Sequence, residues 1–293
     1  MAYNPLSEAE KTFILHGVQD DLRNDGRSRR DFRPIDFETN VIASASGSAR
    51  FCLANSDIIV GIKPEIDTPK PETPEEGKLE FFVDCSANAM LDFEGRGGEE
   101  LASEISNCLR ESFAASQAFD LKTLCILPKH QCWKLYIDIL ILQCSGNLYD
   151  AISLAVKCAL FDLRVPRVSS AILDGGNVDL VLSDDPNDCD RLDVTAVPVL
   201  VTLAKIGENC VVDPSIDEEI CSTASLVVAV SGKHITFVKS ISGGSLHPDT
   251  FDTCIDLAMI SSAALNEQLL KALKQEEQQN QSTHKDTKTS FLN

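Results

Sequence analysis

The sequence predicts an α+β fold made of two related lobes, each built from strands followed by a helix. Three observations support this prediction. Residues 35–83 contain several short stretches in which apolar and polar residues alternate, as they do in half-buried strands. A second group of strand-like stretches lies between residues 197 and 240. After each group, apolar residues recur with the spacing of an amphipathic helix.

The N-terminal segment, residues 1–30, combines a predicted helix with a basic stretch. Ser7 and Glu10 have the S-x-x-E spacing of a capping box, and apolar residues then recur as far as Leu22. We therefore expect a helix that ends near Asn24–Gly26. Five arginines follow within eleven residues. The sequence leaves three interpretations open: they bind RNA phosphates, they pair with acidic residues of a neighbouring subunit, or they form a solvated loop. They are Arg23, Arg27, Arg29, Arg30 and Arg33.

Residues 31–170 form the predicted first lobe. A proline-rich stretch near residue 70 predicts an exposed loop between its strands. One strand has apolar residues on both faces, which is typical of a central strand. Helices are predicted from Gly97 and from Leu148. The predicted strands are "PIDFETNVIA", "GSARFCLA", "DIIVGIKPEI", "LEFFVDCS" and the central "WKLYIDILIL".

The second half begins with a Gly- and Asp-rich stretch, residues 171–192, which we expect to be an acidic linker. Residues 193–274 form the predicted second lobe, with four strands and a long helix from about Pro248 to Lys274. Residues 275–293 are polar, and we expect them to form a disordered tail.

The composition makes some classes of function and of binding site less favourable for this chain. A net charge of −19 repels phosphate backbones and anionic membranes, so contacts with nucleic acid must be local or shared with basic partners. Eleven cysteines without a CxxC pair, and five scattered histidines, indicate free thiols in a reducing compartment and predict no metal site. No signal peptide, membrane span or cofactor is predicted, so we expect a cytosolic or nuclear protein.

The stretch "QCSGNLYDAIS" joins the central strand to the next helix. A glycine at such a junction is typical of a phosphate-binding helix N-terminus, but it is also common in a simple turn. No basic residue lies within the stretch, and Asp150 adds negative charge. The residues alone therefore favour a turn. Asp213, Asp217 and Glu219 follow a strand and are only a weak indication of a site.

The order of longer motifs resembles the RNase PH family, and more narrowly the RNase-PH-type ring subunits of the eukaryotic RNA exosome. The resemblance extends from about Leu6 to Leu273 and implies an RNase PH-like fold, of the ribosomal protein S5 domain 2-like type. The motifs that carry it are "RNDGR", "GSARFCLANSDIIVGI", "LEFFVDCSA", "FEGRGGEELASEI", "WKLYIDILILQCSGNLYDAISLAVKCAL" and "VPVLVTLAKIGENCVVDPSIDEE".

The resemblance also places the family's active site on this chain. Active members cleave RNA from its 3′ end with inorganic phosphate, which the helix N-terminus and an Arg of a G-T-R-T-type segment hold. They also use a pair of Asp residues, as a general acid or to hold a metal ion. That segment falls on Gly146 to Tyr149, so Leu148 stands where the family has Arg. The Asp pair falls on Glu219 and Ser225. These departures imply that the chain is not an enzyme.

The implied role is that of a structural subunit in a six-subunit ring around an RNA channel. Its partners would be other RNase PH-like subunits, S1/KH cap subunits and hydrolytic exoribonucleases, in rRNA maturation and in mRNA and non-coding RNA turnover. The expected location is nucleus, nucleolus and cytoplasm, and Arg96 and Arg110 are the implied RNA contacts.

Two alternatives stay open. The first is an active phosphate-dependent 3′-to-5′ exoribonuclease, which would need an Arg at position 148. The second is an unrelated small-molecule kinase, since similar α+β lobes occur there. A kinase needs a Gly-rich ATP loop, and "GGSLHP" lacks its spacing and its lysine.

Overall fold

The computed structural model describes residues 6–115, 118–172, 178–182, 185, 188–241 and 243–286. Five α-helices and fourteen strands lie within these residues. The helices are α1 (Glu8–Gln19), α2 (Gly97–Ala114), α3 (Leu148–Asp162), α4 (Ile216–Cys221) and α5 (Pro248–Asp286).

The first lobe is a sheet of six strands in the order β1-β2-β3-β6-β4, with β5 paired to β6 beyond this path. Only β4 runs parallel to its neighbour β6, and the other pairs are antiparallel. The predicted strands of this lobe are confirmed, with β6 in the interior of the sheet. They are β1 (Ile35–Thr39), β2 (Gly47–Leu53), β3 (Ser56–Asp67), β4 (Lys78–Cys85) and β6 (Gln131–Gln143). The short strand β5 (Cys125–Leu127) is not among the predicted strands.

The second lobe is a four-stranded antiparallel sheet in the order β12-β11-β13-β14. α5 packs against β11, β12 and β13, while α3 packs against both β11 and the first sheet. Every residue of α3 from Leu148 to Leu160 is buried, because the helix lies between the two sheets. The strands are β11 (Val199–Ile206), β12 (Asn209–Val212), β13 (Ala224–Ser231) and β14 (His234–Ser240).

The N-terminal segment differs from the prediction. The Ser7–Glu10 capping box is confirmed, but α1 ends at Gln19, about five residues early. Asp21 has a φ of 56°, which takes the backbone out of the helix, and Leu22 is exposed. The chain then turns back, so the basic residues that follow face the second lobe.

The arginine segment is mostly an internal structure. Arg23 and Arg33 are only 3% and 7% exposed, so neither a solvated loop nor an RNA surface describes them. The Arg23 guanidinium donates to both carboxylate oxygens of Glu218 and to the carbonyl oxygens of Val212 and Asp213. The other three arginines differ in burial and in partners. Arg27 pairs with Asp25 and Asp213, and Arg29 pairs with Asp21. Arg30 is exposed.

The predicted linker, residues 171–192, is partly a pair of small sheets. Strand β8 (Val168–Ile172) pairs with β9 (Val178–Leu182), and β10 (Cys189–Arg191) pairs with β7 (Arg164–Pro166). The predicted acidic linker therefore contains strand residues, and its role as a linker stays a prediction. Residues 173–177, 183–184 and 186–187 lie outside the described residues.

The prediction of a disordered tail is wrong for residues 275–286, because α5 continues to Asp286. Contacts with earlier segments of the chain explain this extension. The Thr39 backbone N–H donates to Glu276 Oε1 at 2.9 Å, and Arg191 pairs with Glu277. Residues 287–293 lie outside the described part of the chain. Within that part, no helix is both long and apolar enough to span a bilayer.

Candidate functional site

The fold brings the four positions on which the resemblance places an active site into one recess. Gly146, Leu148, Glu219 and Ser225 all line a cavity of about 340 Å³. Gly146 and Leu148 come from the start of α3, Glu219 from α4, and Ser225 from the start of β13. Residues from distant parts of the sequence thus share one site.

Gly146 is needed for the packing of this recess. Its φ of +91° is in the left-handed region, where a side chain is strained. A Cβ at this position would lie 2.6 Å from the backbone nitrogen of Ile216, at the start of α4. The glycine thus allows α4 to approach the turn before α3, a structural reason for it that does not require a bound phosphate.

A carboxylate of the chain itself binds at the start of α3. The backbone N–H of Asn147, the N-cap of α3, donates to Glu219 Oε1 at 2.7 Å. Helix N-termini favour anions, because their first N–H groups lack partners within the helix. Glu219 therefore supplies an internal anion at the position where a phosphate-binding loop receives an external one.

The surroundings of Glu219 make its charge costly. Its side chain is exposed to solvent through the mouth of the recess, but protein atoms surround most of the carboxylate and partly bury it from bulk water. This burial raises the pKa of Glu219 to about 7, although the Asn147 N–H and the Arg33 charge act in the opposite direction. The site thus has a carboxyl group that titrates near neutral pH.

A basic residue, Arg33, contacts the turn, and its donors are occupied. Its Nε and Nη2 donate to the carboxylate of Asp213 at 3.0 and 2.8 Å. Its Nη1 donates to the carbonyl and hydroxyl oxygens of Ser145, and Nη2 also donates to the Gly146 carbonyl. All five N–H groups have partners, so Arg33 holds the turn in place and has no donor left for a phosphate.

Asp150 does not add charge to the recess, contrary to the prediction. It is fully buried and is not a lining residue of the recess; it accepts hydrogen bonds from Thr202 Oγ1 at 2.6 Å and Asn147 Nδ2 at 2.9 Å. Burial raises the pKa of Asp150 to about 7. Together with Asp213 and Arg33, these residues form a buried polar network that joins the two lobes behind the site.

The walls of the recess are mainly apolar. Leu148 is 5% exposed and packs into the wall, whereas an Arg there would present a cation. Ser225 Oγ lies 3.2 Å from Ser222 Oγ at the rim. The other apolar residues of the lining are Met90, Phe93, Leu101, Ile216, Ile220 and Ile241.

The two predicted RNA contacts, Arg96 and Arg110, lie on α2, outside the recess. Both are exposed; Arg96 is the N-cap of α2, and Arg110 donates to Asn107 Oδ1 at 3.0 Å. Arg110 also lines a separate groove beside β4, which contains lysines and glutamates. Their role in RNA binding stays a prediction.

Sequence reasoning missed the carboxylate partners of Arg23 and Arg33 and the contact between Glu219 and Asn147. Both join segments more than 70 residues apart, and no local pattern indicates them. Among the described residues, no three or more His, Cys, Asp or Glu side chains are grouped so as to hold a metal ion.

Comparison with known proteins places this geometry in a family. Residues 31–166 match the model of domain 1 of the 3′ exoribonuclease family, RNase PH, and residues 196–261 match its domain 2. The chain is 30% identical to the putative exosome complex exonuclease RRP42 of Dictyostelium discoideum, over 92% of this chain and 98% of that protein. It is 35% identical to the exosome complex component Rrp42 of Sulfurisphaera tokodaii, over 92% and 96%.

Two solved structures have the same fold as this chain. A chain of the Archaeoglobus fulgidus exosome with RNA bound to the active site superposes with a TM-score of 0.73 at 27% identity, over 89% of this chain and 98% of that one. Rice (Oryza sativa) Rrp46 superposes with a TM-score of 0.62 at 15% identity, over 86% and 100%, and shows the shared fold alone.

Proposed function

The chain belongs to the RNase PH family of 3′ exoribonucleases, and from this premise we propose that it is a non-catalytic ring subunit of an RNA exosome. In this role it supports 3′-to-5′ RNA processing and degradation by organising the RNA channel, while other subunits cleave the RNA. The substrates we propose for the whole assembly are rRNA precursors, mRNA and non-coding RNA.

One observation carries the proposal that the chain is not catalytic. Leu148 supplies no cation, and the Glu219 carboxylate already accepts the Asn147 N–H that would face a phosphate. Phosphate entering the recess would thus meet negative charge without a compensating donor. A lost stabilising donor costs about a hundredfold to a thousandfold in rate, and the repulsion from Glu219 adds to that loss.

The surface of the first lobe supports a role in assembly. Phe82 and Leu140 are exposed on the face of the first sheet opposite α3, and Phe82 stacks on Tyr136 with ring centroids 6.2 Å apart. Ile59 and Leu140 also line a recess of about 530 Å³ on that face. Contiguous exposed apolar surface of this kind is typical of protein interfaces. We propose that another RNase PH-like subunit covers it.

The charge of the chain specifies its partners further. A net charge of −19 favours neighbours with basic surfaces and restricts RNA contact to local basic positions. We propose that S1/KH cap subunits and hydrolytic exoribonucleases complete the assembly, that Arg96 and Arg110 contact RNA in the shared channel, and that the assembly acts in nucleus, nucleolus and cytoplasm.

Native mass measurement of the affinity-purified chain from its own cells tests this proposal. The expected result is a large assembly of different subunits in which this chain is present once. A stable monomer or a homohexamer as the only species would contradict it.

A further inference from the structure

The recess lined by Gly146, Leu148, Glu219 and Ser225 is an open cavity. Under the proposed function it does not bind phosphate, so another ligand can occupy it. Its volume, about 340 Å³, is large enough for a long side chain. Ile220 at its rim is 41% exposed, although a large apolar residue normally gains by burial. Five segments of the chain provide apolar walls: the turn before α2, α2 itself, α3, α4 and the residue after β14.

Among the described residues that line the recess, Glu219 is the only charged one. Its Oε1 accepts the Asn147 N–H, and the carboxylate has further lone pairs to offer. A purely apolar ligand would cover this carboxylate and leave its charge without a partner, which is costly. An anionic ligand would be repelled. A cation with an apolar stem suits both the walls and the carboxylate.

We propose that this recess binds an arginine side chain presented by a protein partner. The methylene stem packs against the isoleucines and Leu148, and the guanidinium donates to Glu219. Arginine is favoured because its flat, weakly hydrated guanidinium packs on apolar walls while it binds a carboxylate. The net charge of −19 attracts a basic segment to this chain. The inference rests on the proposed function, since a recess that holds phosphate is not available to arginine.

Isoleucine methyl groups in the walls of the recess can report whether arginine binds there. Ile216, Ile220 and Ile241 line the recess, whereas Ile14 and Ile105 lie elsewhere in the fold. The full-length chain, labelled with ¹³C at its isoleucine δ-methyl groups and purified without its partners so that the recess is vacant, is titrated with N-acetyl-argininamide. A parallel titration uses N-acetyl-citrullinamide, which has the same length without the charge. Methyl shifts in the NMR spectrum report binding.

We expect arginine amide to shift the three recess methyls, with an affinity at least about tenfold higher than that of citrulline amide, because a charged hydrogen bond is lost with citrulline. Glu219→Gln should remove this preference while keeping an acceptor for the Asn147 N–H. Asp217→Asn removes one negative charge from the same helix outside the recess and should leave the preference intact.

The outcomes separate the two proposals. Equal binding of both amides, or no shift at the three methyls, would overturn the arginine site and leave the proposed function untouched. Shifts of these methyls on addition of inorganic phosphate would overturn the proposed exclusion of phosphate, and the arginine site with it.

Discussion

The buried network behind the recess should depend on the charge of Asp213. This carboxylate is fully buried and accepts hydrogen bonds from the backbone and guanidinium of Arg33, from Arg27 and from Asn147 Nδ2. Asp213→Asn keeps the shape of the side chain but removes its charge, and Arg33 is left as a buried cation without a counter-ion. The change should destabilise the fold.

Its magnitude follows from the contacts. Breaking a buried ion pair by removing one partner costs about 3–5 kcal/mol. The lower end applies, because Arg33 keeps its bonds to Ser145 and to the Gly146 carbonyl. We expect a loss of about 3 kcal/mol in the free energy of unfolding, or more than a hundredfold in the folding equilibrium.

Urea unfolding of the full-length chain, followed by circular dichroism, measures this loss, with Asp217→Asn as the matched control. Asp217 lies in the first turn of α4 and is only partly buried, so its change should cost less than about 0.5 kcal/mol. Equal stabilities of the two variants would refute the proposed role of the network.

The difference in stability between the wild type and Asp213→Asn should depend on pH, because the pKa of Asp213 in the folded wild type is shifted. Burial alone raises the pKa of Asp213, but Arg33 and Asn147 more than offset this and hold it below its usual range. The carboxylate therefore contributes stability above the ordinary pKa of Asp, about 4, and this contribution is lost as pH falls through the lower folded value. The difference between wild type and variant should be constant near pH 6 and shrink below pH about 4.

Three further predictions concern other parts of the site. Gly146→Ala should destabilise the fold by more than Gly26→Ala, by roughly 1–3 kcal/mol in unfolding experiments, because both have positive φ but only the first meets the backbone of α4; equal losses would contradict this. Since burial raises the pKa of Asp150 to about 7, the wild type should lose stability as pH rises from about 4 to 7, and Asp150→Asn should reduce that loss in urea titrations at several pH values. A flatter wild-type profile than that of the variant would oppose the assignment. Replacing Arg96 and Arg110 by Ala should weaken cross-linking of the assembly to RNA without reducing its yield, and unchanged cross-linking would exclude them as contacts.

Much of the first lobe is predictable because its signals are local. The alternation along β6 and the run of apolar residues in α3 are visible in short windows of sequence, and the structure confirms both elements. Most residues of α3 are apolar because two sheets enclose the helix, and this composition is typical of a buried helix.

The remaining features depend on contacts between distant segments. Arg23 and Arg33 resemble surface residues in sequence, because their partners Glu218 and Asp213 follow 195 and 180 residues later. The polar composition after Lys274 predicts disorder, but Thr39 binds Glu276 and helps hold the extension of α5. In the same way, the contact of Glu219 with the start of α3 appears only when the two lobes are packed together.

The most direct test of the central claim is a phosphate-dependent RNA trimming assay on the purified full-length chain. Single-stranded RNA is incubated with the chain in the presence and absence of inorganic phosphate, and nucleoside diphosphates are measured. Leu148 and the carboxylate of Glu219 predict no phosphate-dependent release of nucleoside diphosphates. Robust release that is abolished by Glu219→Gln would contradict the account.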